Sequence, residues 1–172
     1  SPDLEVFVRV NAAALAAELE ATVFIGMAGV VIHNVSGAKD IHHAVKCLEA
    51  LEASRGISQG SLEIDVEVDT AAAVWHSLEI ARVTERFGCF IVNEPALCAA
   101  LGMQTTPTLE FDPLEFVKGQ LINVATSVGG MTLGMSYPLG LTGENAAEDV
   151  VQAEIKRARD TGLDRKSTRL NS

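Results

Sequence analysis

Residues 29–70 read GVVIHNVSGAKDIHHAVKCLEALEASRGISQGSLEIDVEVDT. A short apolar run, Gly29–Ile32, comes first. Lys39–Ser54 follows, with Ile41, Val45, Leu48 and Leu51 recurring at helical spacing as one stripe. Gly56 ends that helix, because glycine takes the left-handed conformation at little cost. Leu62–Val68 then alternates Leu62, Ile64, Val66 and Val68 with Glu63, Asp65 and Glu67, the period of a strand. Strand, helix and strand with no hairpin signal between them form a βαβ unit and a parallel strand pair.

Outward from this unit the alternation repeats. Leu4–Val10 reads as a strand and Ala14–Phe24 as a helix before it. After it come a helix over Ala71–Glu85 with Thr70 as cap and Val74, Leu78 and Ala81 inward, and a short strand, Cys89–Val92. Asp112-Pro113-Leu114-Glu115 has the residues of a helix start, with Asp112 capping and Glu115 at the capping-box position. That helix runs to about Val128 and stops at Gly129-Gly130. A strand over Met131–Tyr137 and a helix over Asn145–Thr161 complete the series. The class is α/β with consecutive βα units and a parallel sheet. Neither GxGxxG after the first strand nor GxxxxGK[ST] occurs, which disfavours nucleotide-binding versions; an open doubly wound sheet and a barrel both remain.

Composition narrows the function. With 172 residues, 48% hydrophobic, the chain can build one core but falls short of the roughly 250 residues of a complete eight-unit barrel. A net charge of −10 with 13 Lys+Arg excludes a nucleic-acid footprint, and no apolar run reaches membrane-spanning length. Cys47, Cys89 and Cys98 have no metal-ligand spacing and read as buried thiols of a reducing compartment, the cytoplasm or an organelle matrix. The acidic start, Ser1-Pro2-Asp3-Leu4-Glu5, carries no signal-peptide pattern. Residues 164–172 (DRKSTRLNS) break the pattern and read as a non-native tail beyond a domain of residues 1–163. Without them, three basic and one acidic, the charge is −12.

In parallel α/β folds chemistry sits at the carboxyl ends of strands. The polar residues there are Arg9 and Asn11, His33 and Asn34, Asp69 and Thr70, Asn93 and Glu94, and Ser136 and Tyr137. An arginine at the end of an apolar strand suits a carboxylate or phosphate clamp, or else pairs with one of the acids. Asp69 and Glu94, on neighbouring strand ends, can share a hard cation such as Mg²⁺. Glu63, Asp65 and Glu67 read as the helix-facing or solvent face of their strand. His42 and His43 are adjacent on a helix and point about 100° apart, so they form no metal pair.

These strand ends carry a resemblance. VFVRVNA (Val6–Ala12), GVVIHNVSGAKDIHHAVKCLEALE, VEVDTAAAVWHSLEIA, NEPALCAALGM, DPLEFVKGQLINVATSVGG and LGMSYPLGLTGENAAEDVVQAEIKRARDTGL resemble, in this order, the units of the HpcH/HpaI aldolases, which include citrate lyase β-subunit-like and malyl-CoA lyase enzymes. The resemblance implies a partial TIM (β/α)₈ barrel of about five consecutive units. It also implies Mg²⁺ and aldol-type cleavage or condensation of a hydroxyacyl-CoA thioester or short oxo acid, in a homo-oligomer when full length. Arg9 matches the family's catalytic and substrate-steadying arginine, with Asn11, His33 and Tyr137 beside it as substrate-binding residues. Asp69 stands where the family has a metal-binding glutamate; NEPALCAALGM resembles the loop that carries the second acid, a role Glu94 can take only if that loop shifts.

The departures are specific. Ala96 stands where the second metal-binding aspartate is expected, His33-Asn34 where Pro-Lys is usual, Gly134 where an acid is usual and Ala73 where a glycine is usual. Loss of one of two carboxylates weakens Mg²⁺ binding or abolishes it. The alternative function is therefore a catalytically degenerate barrel homologue acting as a binding or assembly subunit.

Overall fold

The computed structural model describes residues 5–103, 112–134, 152, 155, 156 and 159–163. Five strands form one sheet in the order β1-β2-β3-β4-β5, every neighbouring pair parallel. The strands are β1 (Phe7–Asn11), β2 (Gly29–His33), β3 (Glu63–Val68), β4 (Phe87–Val92) and β5 (Met131–Leu133). A 3₁₀ turn at Ala12–Ala14 leads into α1 (Leu15–Thr22), and α2 (Ala38–Arg55) joins β2 to β3. Between β3 and β4 lie α3 (Ala71–Trp75) and α4 (Ser77–Ala81); α5 (Glu94–Ala100) and α6 (Glu115–Ser127) follow.

The strand order never reverses. Crossovers between parallel strands are right-handed almost without exception, so successive crossovers in one direction stack all helices on one face. That is the curl of a (β/α)₈ barrel; a doubly wound sheet reverses direction and carries helices on both faces. Burial agrees. Val10, Val30, Ile32, Ile64, Val66, Val68, Phe90 and Val92 are buried and form the core with Leu19, Leu48, Ile80 and Leu121 from the helices. The opposite, lumen-side face carries Phe7, Arg9, Asn11, Val31 and His33, all part-exposed or exposed.

Glu63, Asp65 and Glu67 belong to this lumen face, which corrects the expectation that they face helices or solvent. Arg9 pairs with Val31 and Val31 with Asp65 across the sheet, and paired residues share a face. Since the alternate set Ile64, Val66 and Val68 packs under the helices, the acids point the other way; Asp65 is fully buried and Glu67 nearly so.

Two local features fix the geometry. Gly29 lets β2 lie against its neighbours, because a Cβ there would stand 2.4 Å from the Glu63 carbonyl oxygen. Gly56 terminates α2 in the left-handed conformation, φ 68°. At the amino end of the sheet the buried Glu52 of α2 accepts hydrogen bonds from Arg86 Nη1 (2.6 Å) and Nη2 (3.0 Å), and from the backbone N–H of Gly60 (2.9 Å) and Leu62 (3.2 Å). Burial alone would raise the Glu52 pKa, but Arg86 and the two N–H donors hold it below the ordinary value.

The segment expected as one helix over Ala71–Glu85 bends at His76 (φ −95°, ψ 14°) into α3 and α4. Its inward residues are Ala73, Ser77, Ile80 and Ala81, while Leu78 is 40% exposed. The cap of α6 is Leu114, without a side-chain cap bond, and not Asp112 as expected; Asp112 instead accepts the Leu114 N–H (2.9 Å) on one oxygen and Lys118 (2.7 Å) on the other, in the turn before the helix. The tail, Ser136, Tyr137 and most of the residues expected as the final helix lie outside the described residues. Among the described residues no helix is long and apolar enough to cross a membrane.

Candidate active site

Arg9 leaves β1 on the lumen face and meets Glu67 of β3 side-on. Its Nε donates to Glu67 Oε2 (2.6 Å) and its Nη2 to Glu67 Oε1 (2.9 Å). The arginine side chain is 52% exposed, the glutamate 9%, and Arg9 Nη1 has no partner among the described residues. Glu67 Oε1 also accepts from Asn93 Nδ2 (2.6 Å), while Asn93 Oδ1 takes the Ala96 N–H and caps α5 (3.2 Å). The Arg9 bonds, aided by Asn93, hold the Glu67 carboxylate below its ordinary pKa despite burial. Glu67 in turn raises that of Arg9, with smaller contributions from Asp69 and Glu18.

One step along the strand ends, Asp69 accepts the Asn34 backbone N–H on both oxygens, at 3.1 and 3.0 Å. Asn34 takes a left-handed φ of 58°, which aims its N–H at the carboxylate. Asn is among the few side chains that tolerate this region. His33 Nδ1 stands 3.7 Å from Asp69 Oδ2. Asn11 presents Oδ1 to the Ala13 N–H and, at 3.5 Å, to Asn34 Nδ2, and its own N–H goes to Glu18 Oε2 (2.7 Å). Thr70 caps α3 through the Ala73 N–H and donates to the Val35 carbonyl oxygen. Arg9, Asn11, His33, Asn34 and Asp69 thus form one contiguous polar patch.

Glu94 does not join it. The carboxylate, 2% exposed, lies 2.7 Å from the Nζ of the equally buried Lys118, which also binds Asp112. With Asn93 capping α5 and Pro95 in its first turn, the Glu94 side chain is directed to α6, away from a shared cation with Asp69. Position 96, the expected seat of a metal-binding acid, holds only a methyl group.

The HpcH/HpaI aldolase/citrate lyase family pattern matches residues 1–169. The chain belongs to this family. A search of curated proteins returned no match. Solved structures share the fold. The malate synthase of Haloferax volcanii in a pyruvate/acetyl-CoA ternary complex superposes with a TM-score of 0.70 at 15% identity, over 94% of this chain and 46% of that one. A citrate lyase from Burkholderia xenovorans gives 0.69 at 16% identity, over 92% and 50%. The citrate lyase β subunit of Mycobacterium tuberculosis, complexed with oxaloacetate and magnesium, gives 0.61 at 18% identity, over 95% and 69%. The fold is accordingly a partial TIM (β/α)₈ barrel, and the chain spans less than half the length of the malate synthase.

The metal implied by the HpcH/HpaI family can be tested against the donors present. Among the described residues no three His, Cys, Asp or Glu side chains gather as a cation cage. Glu67 is neutralised by Arg9 and Glu94 by Lys118. Among the described residues Asp69 accepts one N–H, that of Asn34, over its two oxygens. Magnesium commonly keeps water and binds through one or two carboxylates plus substrate oxygens. The set fits an ion held jointly by Asp69 and a ligand, and does not fit a resident ion between two protein carboxylates.

Glu67 and Asn93 are the site residues whose roles sequence reasoning missed. Their signal is parity: Glu67 and Asp69 lie two apart on one strand and so share a face.

Proposed function

We propose that this chain serves a carbon–carbon lyase of aldol type, acting on a short oxo acid or hydroxyacyl-CoA thioester. The observation carrying the proposal is the juxtaposition of a part-exposed arginine and an available carboxylate at the strand ends of one barrel face, with Asp69 acting electrostatically on Arg9. In this reading Arg9 Nη1 takes a substrate carboxylate. Asn11 and His33 border the acyl portion, and Tyr137, outside the described residues, joins the substrate-binding set on the family resemblance alone. Asp69 would hold Mg²⁺ together with the substrate oxygens. When bound, the ion would offset negative charge developing on the oxo-acid oxygen as the carbon–carbon bond breaks. The Asn34 N–H keeps Asp69 oriented for that role.

The test is cleavage of malyl-, citramalyl- or citryl-type thioesters by the chain, with and without Mg²⁺. Asp69→Ala should abolish turnover, and undiminished turnover in that variant sinks the assignment. A second reading, a catalytically degenerate subunit, is favoured by the Glu94–Lys118 pair and by Ala96. It expects no Mg²⁺-dependent cleavage and no change in ligand binding when Mg²⁺ is added. Homo-oligomerisation belongs to the proposal and is read by light scattering on the eluting peak.

A further inference from the structure

We propose that Glu67 is a specificity-determining residue of the strand-end site, an internal carboxylate that occupies one recognition edge of Arg9 and thereby disfavours dianionic acids. The inference rests on the reading of Arg9 as the substrate clamp. A guanidinium offers two bidentate edges, one through Nε and Nη2 and one through Nη1 and Nη2. Glu67 fills the first with both oxygens, at 2.6 and 2.9 Å, in the geometry a bound carboxylate ligand would adopt. Only the second edge, on the exposed part of the side chain, remains for a ligand.

Glu67 is held there. Asn93 Nδ2 donates to it at 2.6 Å from the neighbouring strand, and burial leaves little water to compete for its oxygens. The electrostatic balance points the same way. Glu67 acts most strongly on Arg9 and Asp69 next, so the guanidinium already faces two carboxylates. A monoanion can bind at the open edge. A dianion brings its second charge into a region already negative, within the Debye length over which like charges repel.

Calorimetric titration of the full chain in metal-free buffer, with pyruvate as the monoanion and oxaloacetate as the dianion, tests this. Wild type should bind pyruvate more tightly than oxaloacetate. Glu67→Gln keeps the shape and removes the charge. It should tighten oxaloacetate binding by roughly tenfold or more, the size expected for releasing a charge-assisted bond to arginine, and pyruvate binding by less. Glu67→Ala, a second variant should the first misfold, should move both affinities in the same direction. Glu18→Gln removes a nearby charge without touching the guanidinium and should change either affinity less than about twofold.

Unchanged oxaloacetate affinity in both Glu67 variants overturns the inference, as does weaker binding, which would make Glu67 a residue that orients Arg9 and no more. An equal effect from Glu18→Gln, or no binding of either acid to any form, overturns it too. The lyase reading fails separately. A chain without turnover that shows this affinity change loses only the lyase assignment, and an active lyase indifferent to Glu67 loses only this inference.

Discussion

Replacing Arg86 by leucine should destabilise the chain by about 3 kcal/mol, because it strands a buried charge. Glu52 is 0% exposed and accepts hydrogen bonds from Arg86 Nη1, Arg86 Nη2 and the N–H groups of Gly60 and Leu62. Leucine fills most of the arginine volume, so the loss is electrostatic and not a cavity. Breaking a buried pair from one side typically costs about 3–5 kcal/mol. The two backbone donors remain, which places the expectation at the lower end. For a domain of this size that amounts to roughly 6–12 °C in melting temperature. Urea denaturation of wild type, Arg86→Leu, Glu52→Leu and the double variant measures it. The double variant should cost less than the sum of the singles, since no charge is then stranded and only the two N–H groups lose an acceptor. A shift below about 0.5 kcal/mol in Arg86→Leu, or strict additivity in the cycle, would refute the argument.

Three further outcomes follow from the same geometry. Glu52 and Glu67 are both held below the ordinary carboxylate pKa in the folded chain, so the unfolded chain binds the extra protons. Their stabilisation is full above the ordinary carboxylate range and is lost as pH falls through and below it, at up to about 1.4 kcal/mol per pH unit per group. Urea midpoints between neutral and acid pH should show this, with a shallower slope in Arg86→Leu. Gly29→Ala places a methyl group against the Glu63 carbonyl and the Phe7 ring and should cost about 1–3 kcal/mol or more. Gly37→Ala, with nothing within 4 Å of the added atom, should be nearly silent in the same denaturation assay. At Asn34, glycine should be tolerated, whereas valine should cost about 1–2 kcal/mol because a β-branched side chain resists the left-handed backbone. Equal stability of the two Asn34 variants would argue against that conformation.

Much of the fold was legible because βαβ periodicity survives without tertiary help. The stripe of Ile41, Leu48 and Leu51 on α2 is buried as read, and Gly56 stops the helix. Val45 is only partly covered, and Ala44 takes the inner place. The break at His76 was invisible, since no proline or glycine interrupts Ala71–Glu85. The segment around Asn93–Met103 gave a loop on family grounds, yet Asn93 followed by Glu94-Pro95 is a helix start, with an Asn side-chain cap and a proline in the first turn.

The site was half legible, and the missing half turns on a choice of face. Alternation over Leu62–Val68 separates two sets of side chains but does not by itself say which set faces the helices. Leaving Glu63, Asp65 and Glu67 on the helix or solvent side was inconsistent with a barrel. In a barrel the helices cover one face of the sheet, and that face takes the apolar set, Ile64, Val66 and Val68. The acids must then enter the lumen, where Arg9 also points. An arginine and a stripe of carboxylates inside one barrel will pair before any ligand arrives, and the observed partner is the acid two residues before Asp69. Parity together with crossover handedness was enough to find Glu67. What no pattern in the chain could supply is the fate of Glu94, because that depends on a lysine of a helix reached only after residues 104–111, and pairing of that kind is decided by packing distance, not by spacing in sequence.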